Sequence, residues 1–377
     1  MRILYLFRSL AVWGGIERIL VDKMNGLSSL YGMEIFMLTT DQGTHTIPYH
    51  LNNQVYIEDL GICFYRKYQY YILRRLYVDY KMRCRYKQML ADRLNRISPD
   101  IIVCTTSDNI DIVVKLKGSI PLVVESHSIC SRTIEKGNWW ILRKIYRQRY
   151  LRIVSKADVV VALTVKDAQD WQKYLSSVKV IPNMVHLEEG KPSTLDSKHA
   201  IFVGRFDYQK RVQDALSIWK EVSKIHPDWV LDIFGEGDID YNISKMAFDM
   251  GNVIIHKPTH DIFNCYRNSS FMIITSLFEP FGLVIVEAAS CGLPVVAFDC
   301  PYGPAEILTQ GVDGYLIKDR NQKMFVEKVC SLIDDPLSRG QMGRAAIETS
   351  YKYLPSNILP MWKQLFDELL SVGDSDA

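Results

Sequence analysis

Residues 279–287 read Glu279-Pro280-Phe281-Gly282-Leu283-Val284-Ile285-Val286-Glu287, two carboxylates flanking the start of an apolar helical run. Gly282 lets the backbone approach a ligand closely, and the peptide N–H groups of Phe281, Gly282 and Leu283 at a helix N-terminus suit a diphosphate. Glu279 then precedes the helix and Glu287 sits about one and a half turns inside it. A ligand lying over the N-terminus would be held by a carboxylate at each end, since carboxylates accept from vicinal hydroxyls on a sugar or a ribose alike. The same spacing also describes an ordinary helix start whose glutamate is favoured by the helix dipole, so the neighbouring segments decide.

Upstream, Val203-Gly204-Arg205-Phe206-Asp207-Tyr208-Gln209-Lys210 places two cations just past a strand end. Arg205 and Lys210 could neutralise a departing diphosphate, the role a divalent metal plays elsewhere; on its own the segment also fits a solvated loop. Near the start of the chain, Gly14-Gly15-Ile16-Glu17 opens a helix whose apolar residues Ile16, Ile19, Leu20, Met24 and Leu27 recur at helical spacing. A Gly-Gly turn of this kind is common. Glu125-Ser126-His127-Ser128 follows the strand-like run 121–124 and offers a histidine at a strand end, either as a ligand to a reacting sugar or as a structural residue.

The rhythm around these segments is that of parallel sheets covered on both faces. Short β-rich runs at 2–7, 33–39, 101–104, 121–124, 158–163 and 178–181 alternate with helical stretches, and the pattern restarts at 200–204, 230–234, 253–255, 271–275, 294–298 and 314–317. The chain of 377 residues is too long for one typical core. An α/β fold of two Rossmann-like, doubly wound lobes is expected, 1–183 and 184–355, joined by the polar, proline-containing segment 182–199. The amphipathic tail of about 356–377 follows Pro355 and Pro360 and would cross back onto the first lobe. In such sheets ligands bind beyond the carboxyl ends of the strands, so the two lobes would face each other across a cleft.

Together these segments resemble the large retaining glycosyltransferase family with the GT-B fold that contains glycogen synthase-like, sucrose synthase-like and many bacterial polysaccharide enzymes, usually called family 4. The resemblance spans nearly the whole chain. It includes Ala157-Asp158 to Thr164, Val180-Ile181-Pro182-Asn183, Phe234-Gly235-Glu236-Gly237 and Cys291-Gly292-Leu293-Pro294-Val295-Val296 beside the segments above. It implies a first lobe, 1–183, on the acceptor side, a second, 184–355, that binds the nucleotide sugar, and roles residue by residue. Glu279 would contact the hydroxyls of the donor sugar and Glu287 the ribose diol, while Arg205 and Lys210 would hold the diphosphate. Gly14, Gly15, Phe281, Gly282 and Leu283 would supply donor contacts, those of Gly15, Gly282 and Leu283 from the backbone, and His127 would lie near the transferred sugar. The catalytic candidates are therefore His127, Glu279, Arg205 and Lys210, with no metal and no other cofactor. The implied reaction moves a hexose or N-acetylhexosamine, with retention, from a nucleoside diphosphate sugar to a lipid-linked or polysaccharide acceptor. Asp299-Cys300-Pro301-Tyr302-Gly303-Pro304-Ala305-Glu306-Ile307 is similar to the loop of bacterial enzymes that use UDP-sugars. Two positions depart from the family pattern: Met184 and Arg211 stand where glycine is common. An epimerase or glycogen-type synthase on the same fold, and a non-catalytic sugar-nucleotide-binding relative, are the alternatives.

Composition narrows the setting. Residues 1–183 hold 27 lysines and arginines against 16 acids, and the remainder 18 against 27, an asymmetry that predicts an anionic surface or partner for the first half. Within 64–96, Arg66, Lys67, Arg74, Arg75, Lys81, Arg83, Arg85, Lys87, Arg93 and Arg96 interleave with seven tyrosines, and Trp139-Trp140 with Arg143, Lys144, Arg147, Arg149 and Arg152 repeats the theme. This pattern fits either a peripheral contact with anionic lipid at the inner face of the cytoplasmic membrane or a solvated helix face. No nucleic-acid module accompanies it. The eight cysteines form no C-x-x-C pair, as expected in a reducing compartment. A nicotinamide dehydrogenase would need G-x-G-x-x-G after a strand, which Gly14-Gly15 does not supply. Asp238-Ile239-Asp240 has the form of a metal-binding D-x-D and is expected to be a solvated turn.

Overall fold

A computed structural model of the chain describes residues 1–377 except 107–108, 137–138, 187–189, 238–239 and 376–377. Two of the sequence expectations, Asp238-Ile239 of the D-x-D turn and Glu188-Glu189 of the linker, lie outside the described residues. The chain forms two compact units, Met1–Met184 with Pro355–Ala377, and Val185–Leu354.

In the first unit the order is β1 (Arg2–Phe7), α1 (Gly15–Tyr31), β2 (Glu34–Thr39), β3 (Val55–Asp59), α2 (Ile72–Ile97), β4 (Ile101–Thr105), α3 (Ile110–Leu116), β5 (Leu122–Glu125), α4 (Cys130–Ile134), α5 (Trp140–Val154), β6 (Val159–Ala162), α6 (Val165–Gln172) and β7 (Val178–Val180). All seven strands are parallel, in the sheet order β3-β2-β1-β4-β5-β6-β7. The central strands β4, β5 and β6 are buried at every position, which is why they read as continuous apolar runs rather than alternating ones. One face is covered by α2, α3 and α5 through Tyr86, Leu90, Leu94, Val113 and Val154. The other is covered by α1, whose chain ends at Gly32 in the left-handed conformation, φ 62°.

The second unit runs β8 (His199–Val203), α7 (Val212–Ile225), β9 (Val230–Phe234), α8 (Asp240–Met250), β10 (Val253–His256), α9 (Ile262–Arg267), β11 (Phe271–Ile274), α10 (Leu283–Ser290), β12 (Val295–Asp299), α11 (Gly303–Ile307), β13 (Gly314–Lys318), α12 (Gln322–Asp334) and α13 (Pro336–Tyr351). Its six parallel strands have the order β10-β9-β8-β11-β12-β13. Counted from its own first strand, this repeats the order of the first sheet. The last helix, α14 (Pro355–Ser375), returns to the first unit and lies on α1, with Leu359, Trp362 and Phe366 buried.

In both sheets the strand order reverses beside the first strand, between β1 and β4 and between β8 and β11. The crevice at such a switch point, outside the carboxyl ends of the strands, is where open α/β sheets take ligands. In the first unit it lies between the ends of β1 and β4, with the loop after β5 one strand away, and in the second between the ends of β8 and β11, with the loop after β12 one strand away. Strand β3 was not predicted from sequence: it is a short edge strand, half exposed, without the buried apolar run that marks its neighbours. Among the described residues, no helix is long and apolar enough to cross a membrane.

Candidate functional site

In the second unit, three loops are bonded into one structure at the switch point. The loop after β8 is tied to the loop after β11: Leu277 donates its N–H to the Gln209 carbonyl at 2.7 Å, Gln209 Nε2 reaches the Phe278 carbonyl at 3.2 Å, and Thr275 Oγ1 donates to the carbonyls of Lys210 and Arg211 at 3.1 and 2.9 Å. These bonds deliver Lys210 Nζ to Glu279 Oε1 at 2.6 Å, with Ser276 Oγ donating to the same oxygen at 2.6 Å. Glu279 is buried and its ion pair is nearly dry, so this is a costly arrangement kept by hydrogen bonds at both ends.

The third loop, after β12, straps across the first two. Glu279 N–H donates to Pro301 O at 2.7 Å, and Glu279 O accepts from the N–H groups of Tyr302 and Gly303 at 2.9 and 2.8 Å. A Cβ on Gly303 would lie 1.8 Å from Phe281 O, so only glycine lets the strap pass. Gly282 caps α10 with φ 98°, and no side chain caps this helix end. Helix N-termini leave their first N–H groups without intrahelical acceptors, and here Phe281, Gly282 and Leu283 are the residues at that end. Inside the helix, Glu287 is buried and accepts from the Tyr266 hydroxyl at 3.2 Å. Cys300 lies beneath the site; burial first, then the Glu279 charge, pushes its thiol up to about 12.

Arg205 keeps to its own loop. Its guanidinium lies 3.1 Å from Asp207, and the side chain is 74% exposed. Arg211 explains its own departure from the family pattern: it adopts φ 50°, ψ 50°, a conformation that favours glycine, and is tied to Asp319 at 2.9 Å and Asp214 at 2.6 Å.

The first unit assembles a separate cluster. Gly14 is the uncapped, extended N-cap of α1, and the carboxylate of Glu17 folds back over it, since a Cβ on Gly14 would meet Glu17 Oε2 at 2.2 Å. Burial raises the Glu17 pKa, with the charges of His127 and Arg8 opposing. His127 Nε2 is 3.0 Å from Glu125 Oε2. The ring nitrogen is not aligned for a good hydrogen bond, and the contact is best described as electrostatic. The other carboxylate oxygen of Glu125 accepts from Lys23 Nζ, which is fully buried. Burial alone would raise the Glu125 carboxyl, but the Lys23 charge and then His127 overcome it and hold it down at about 2. The loop itself is pinned by Cys130 N–H to Asp167 Oδ1 at 2.7 Å and by Trp171 Nε1 to Ser126 Oγ at 3.3 Å.

The sequence reading named Lys210, Glu279, Phe281, Gly282, Leu283 and Glu287, which the fold gathers at one helix start, and His127, Gly14 and Gly15 in the first unit. It missed Ser276, Tyr266 and Lys23. For Lys23 a signal existed: position 23 falls on the apolar stripe Ile19, Leu20, Met24, Leu27, so a lysine there had to be buried and paired. Met184, the other departure from the family pattern, is buried in the core of the first unit beside Lys23 and Glu125.

Comparison with known proteins agrees with this layout. Residues 13–189 match the family described as Glycosyltransferase Family 4, and residues 187–349 match Glycosyl transferases group 1. An uncharacterized glycosyltransferase of Haemophilus influenzae is 29% identical over 222 residues, 57% of this chain and 62% of that protein. The amylovoran biosynthesis glycosyltransferase AmsD of Erwinia amylovora is 34% identical over 169 residues, 44% of this chain and 47% of that protein. The chain thus spans about half to three fifths of the length of these curated relatives. The structure of HepE from Anabaena in complex with UDP superposes with a TM-score of 0.74 at 17% identity, covering 98% of this chain and 100% of that one. With one family match falling on each of the two sheets, the chain belongs to the GT-B glycosyltransferases of family 4, group 1.

Proposed function

We propose that this protein transfers a hexose or N-acetylhexosamine from a UDP-sugar to a lipid-linked or polysaccharide acceptor, with retention at the anomeric carbon and without a metal. The observation that carries the reading is the Lys210–Glu279 pair held at the open start of α10 by Ser276 and the Gly303 strap. Donor binding exchanges partners: the Lys210 ammonium and the helix N-terminus take the diphosphate, and Glu279, released from Lys210, accepts from sugar hydroxyls. Glu287 accepts from the ribose diol. The acceptor hydroxyl attacks the anomeric carbon from the leaving-group side. The bond from carbon to phosphate oxygen breaks as the new glycosidic bond forms, and the acceptor proton passes to the departing β-phosphate oxygen. Positioning and charge stabilisation supply the rate. Arg205 joins the diphosphate from its exposed loop by a change of rotamer. The UDP preference is supported by the 299–307 loop and by the nucleotide in the Anabaena structure.

Lys210→Ala and Glu279→Ala are each expected to lower transfer at least 100-fold; each also strips a nearly dry ion pair of one partner and lowers the melting temperature, so turnover is compared at a temperature where circular dichroism shows the variant folded. A thermal-shift series with UDP-, GDP- and ADP-sugars identifies the donor, because a ligand bound to the native state raises the midpoint by mass action. Wild-type turnover in either variant refutes the assigned roles.

The acceptor side of the reading includes peripheral contact with anionic lipid at the inner face of the cytoplasmic membrane. Two helix ends support it. The first halves of α2 and α5, which flank α3, together with the residue before each helix expose Tyr71 (95%), Ile72, Leu73, Leu76, Trp139, Trp140, Ile141 and Leu142, a set of apolar groups interleaved with Arg74, Arg75, Arg143 and Lys144. The far half of α2 does not share this character: Tyr86 is core, Arg83 pairs with Asp111, and Arg93 and Arg96 both pair with Glu58.

A further inference from the structure

We infer that Lys23 and Glu125 are positioning residues for sugar transfer, acting through His127, and that the last helix of the chain seals the pair. The inference rests on the reading of His127 as the group beside the transferred sugar.

Lys23 projects from α1 into the apolar face between the first sheet and α14, with 1% of its surface exposed. Its ammonium donates to one oxygen of Glu125, lies 3.9 Å from the centre of the Trp362 ring and 5.2 Å from that of Tyr5. A lysine in that stripe has no use for stability alone, because apolar side chains of the same volume serve a core as well or better. What it does accomplish is geometric. By occupying one oxygen of Glu125, it fixes the carboxylate at the end of β5 and leaves the other oxygen facing the His127 ring at 3.0 Å. Burial pulls the Lys23 ammonium below its ordinary pKa, and the Glu125 charge restores part of the loss; each charge is kept by the other. Glu17 faces the imidazole from the first turn of α1 and contributes a second negative charge to its surroundings. His127 is thus held from a buried, charged base, and the Asp167 and Trp171 bonds hold the loop on either side of it. Around the pair, Asn183, Met184, Ile358 and Trp362 close a small cavity, so the base is shut from solvent by a helix that the chain adds last.

The test separates folding from positioning. Lys23→Met alone leaves a buried carboxylate without its cation and is expected to destabilise the protein strongly. Lys23→Met/Glu125→Gln removes both charges at nearly constant volume, and its melting temperature is expected to return to within a few degrees of wild type. Its kcat should nonetheless fall about 10- to 100-fold, the cost of a misplaced active-site group, with KM for the donor and the affinity for UDP unchanged within twofold. Adding His127→Ala to the double variant should lower kcat no further than His127→Ala alone. A refolded double variant with kcat within twofold of wild type overturns the inference, as does a fully additive loss on adding His127→Ala. If His127→Ala itself turns over at the wild-type rate, the reading of His127 fails instead.

Discussion

Asp167 shows how far a single group can depart from its ordinary chemistry in this core. Loss of solvent pushes its carboxyl up to about 6, against the lowering effect of the Cys130 N–H. The folded state therefore favours the neutral acid. That contribution is complete below the ordinary carboxyl value of 3.8 and is lost as pH rises through about 6. Measured by urea unfolding, the stability of wild type relative to Asp167→Asn is expected to fall by on the order of 2–3 kcal/mol between pH 4 and pH 7; a constant difference would show an unperturbed carboxyl. Glu125 behaves oppositely, since its lowered pKa stabilises the fold above the ordinary value of 4.5 and the contribution is lost as pH falls through about 2. Neither value follows from sequence, because both arise from what the other elements place around the group. Glu279 and Lys210 were legible because family-type spacing and a strand-end location coincide. Their mutual ion pair was not, since 69 residues separate them.

At the scale of elements, the strap of residues 301–303 is the part of the site most sensitive to one added methyl group. Gly303→Ala puts a carbon against Phe281 O, and neither backbone has room to yield without breaking the bonds to Glu279. Donor turnover, kcat/KM, is expected to drop at least 100-fold, whereas the first unit, followed by hydrogen exchange, should be unaffected. Helix packing in the first unit gives a parallel case. A Cβ on Gly26 of α1 would lie 2.5 Å from Leu359 Cδ1 of α14, so Gly26→Val is expected to loosen α14 and cost about 1–3 kcal/mol of stability by overpacking. The strands and the main helices of both lobes were readable from apolar runs and 3.6-residue periodicity. What escaped was β3, whose edge position leaves little burial to write into its sequence, and the Gly303 contact, which depends on two loops meeting.

For the molecule as a whole, charge asymmetry between the halves was visible in composition, and the proposed lipid contact draws on the exposed apolar and basic residues of two helix ends. In flotation assays the protein is expected to rise with anionic vesicles at low salt and to be released at high salt, where screening shortens the reach of its arginines; Ile72→Glu/Leu73→Glu/Trp140→Glu should remain at the bottom in both. Equal partitioning onto neutral and anionic vesicles sinks the proposal. The fold class was legible because strand-like apolar runs alternate with helical stretches and the pattern restarts near residue 200, and the return of the tail to the first lobe was already the expectation for about 356–377. That path has a consequence for biosynthesis. Because Trp362 and Phe366 complete a core whose other members begin at Ile3, the unit made first cannot finish folding until α14 has emerged from the ribosome. Nascent chains arrested before residue 355 should present the groove on α1 to protease and chaperone, and only chains long enough to dock α14 should become resistant.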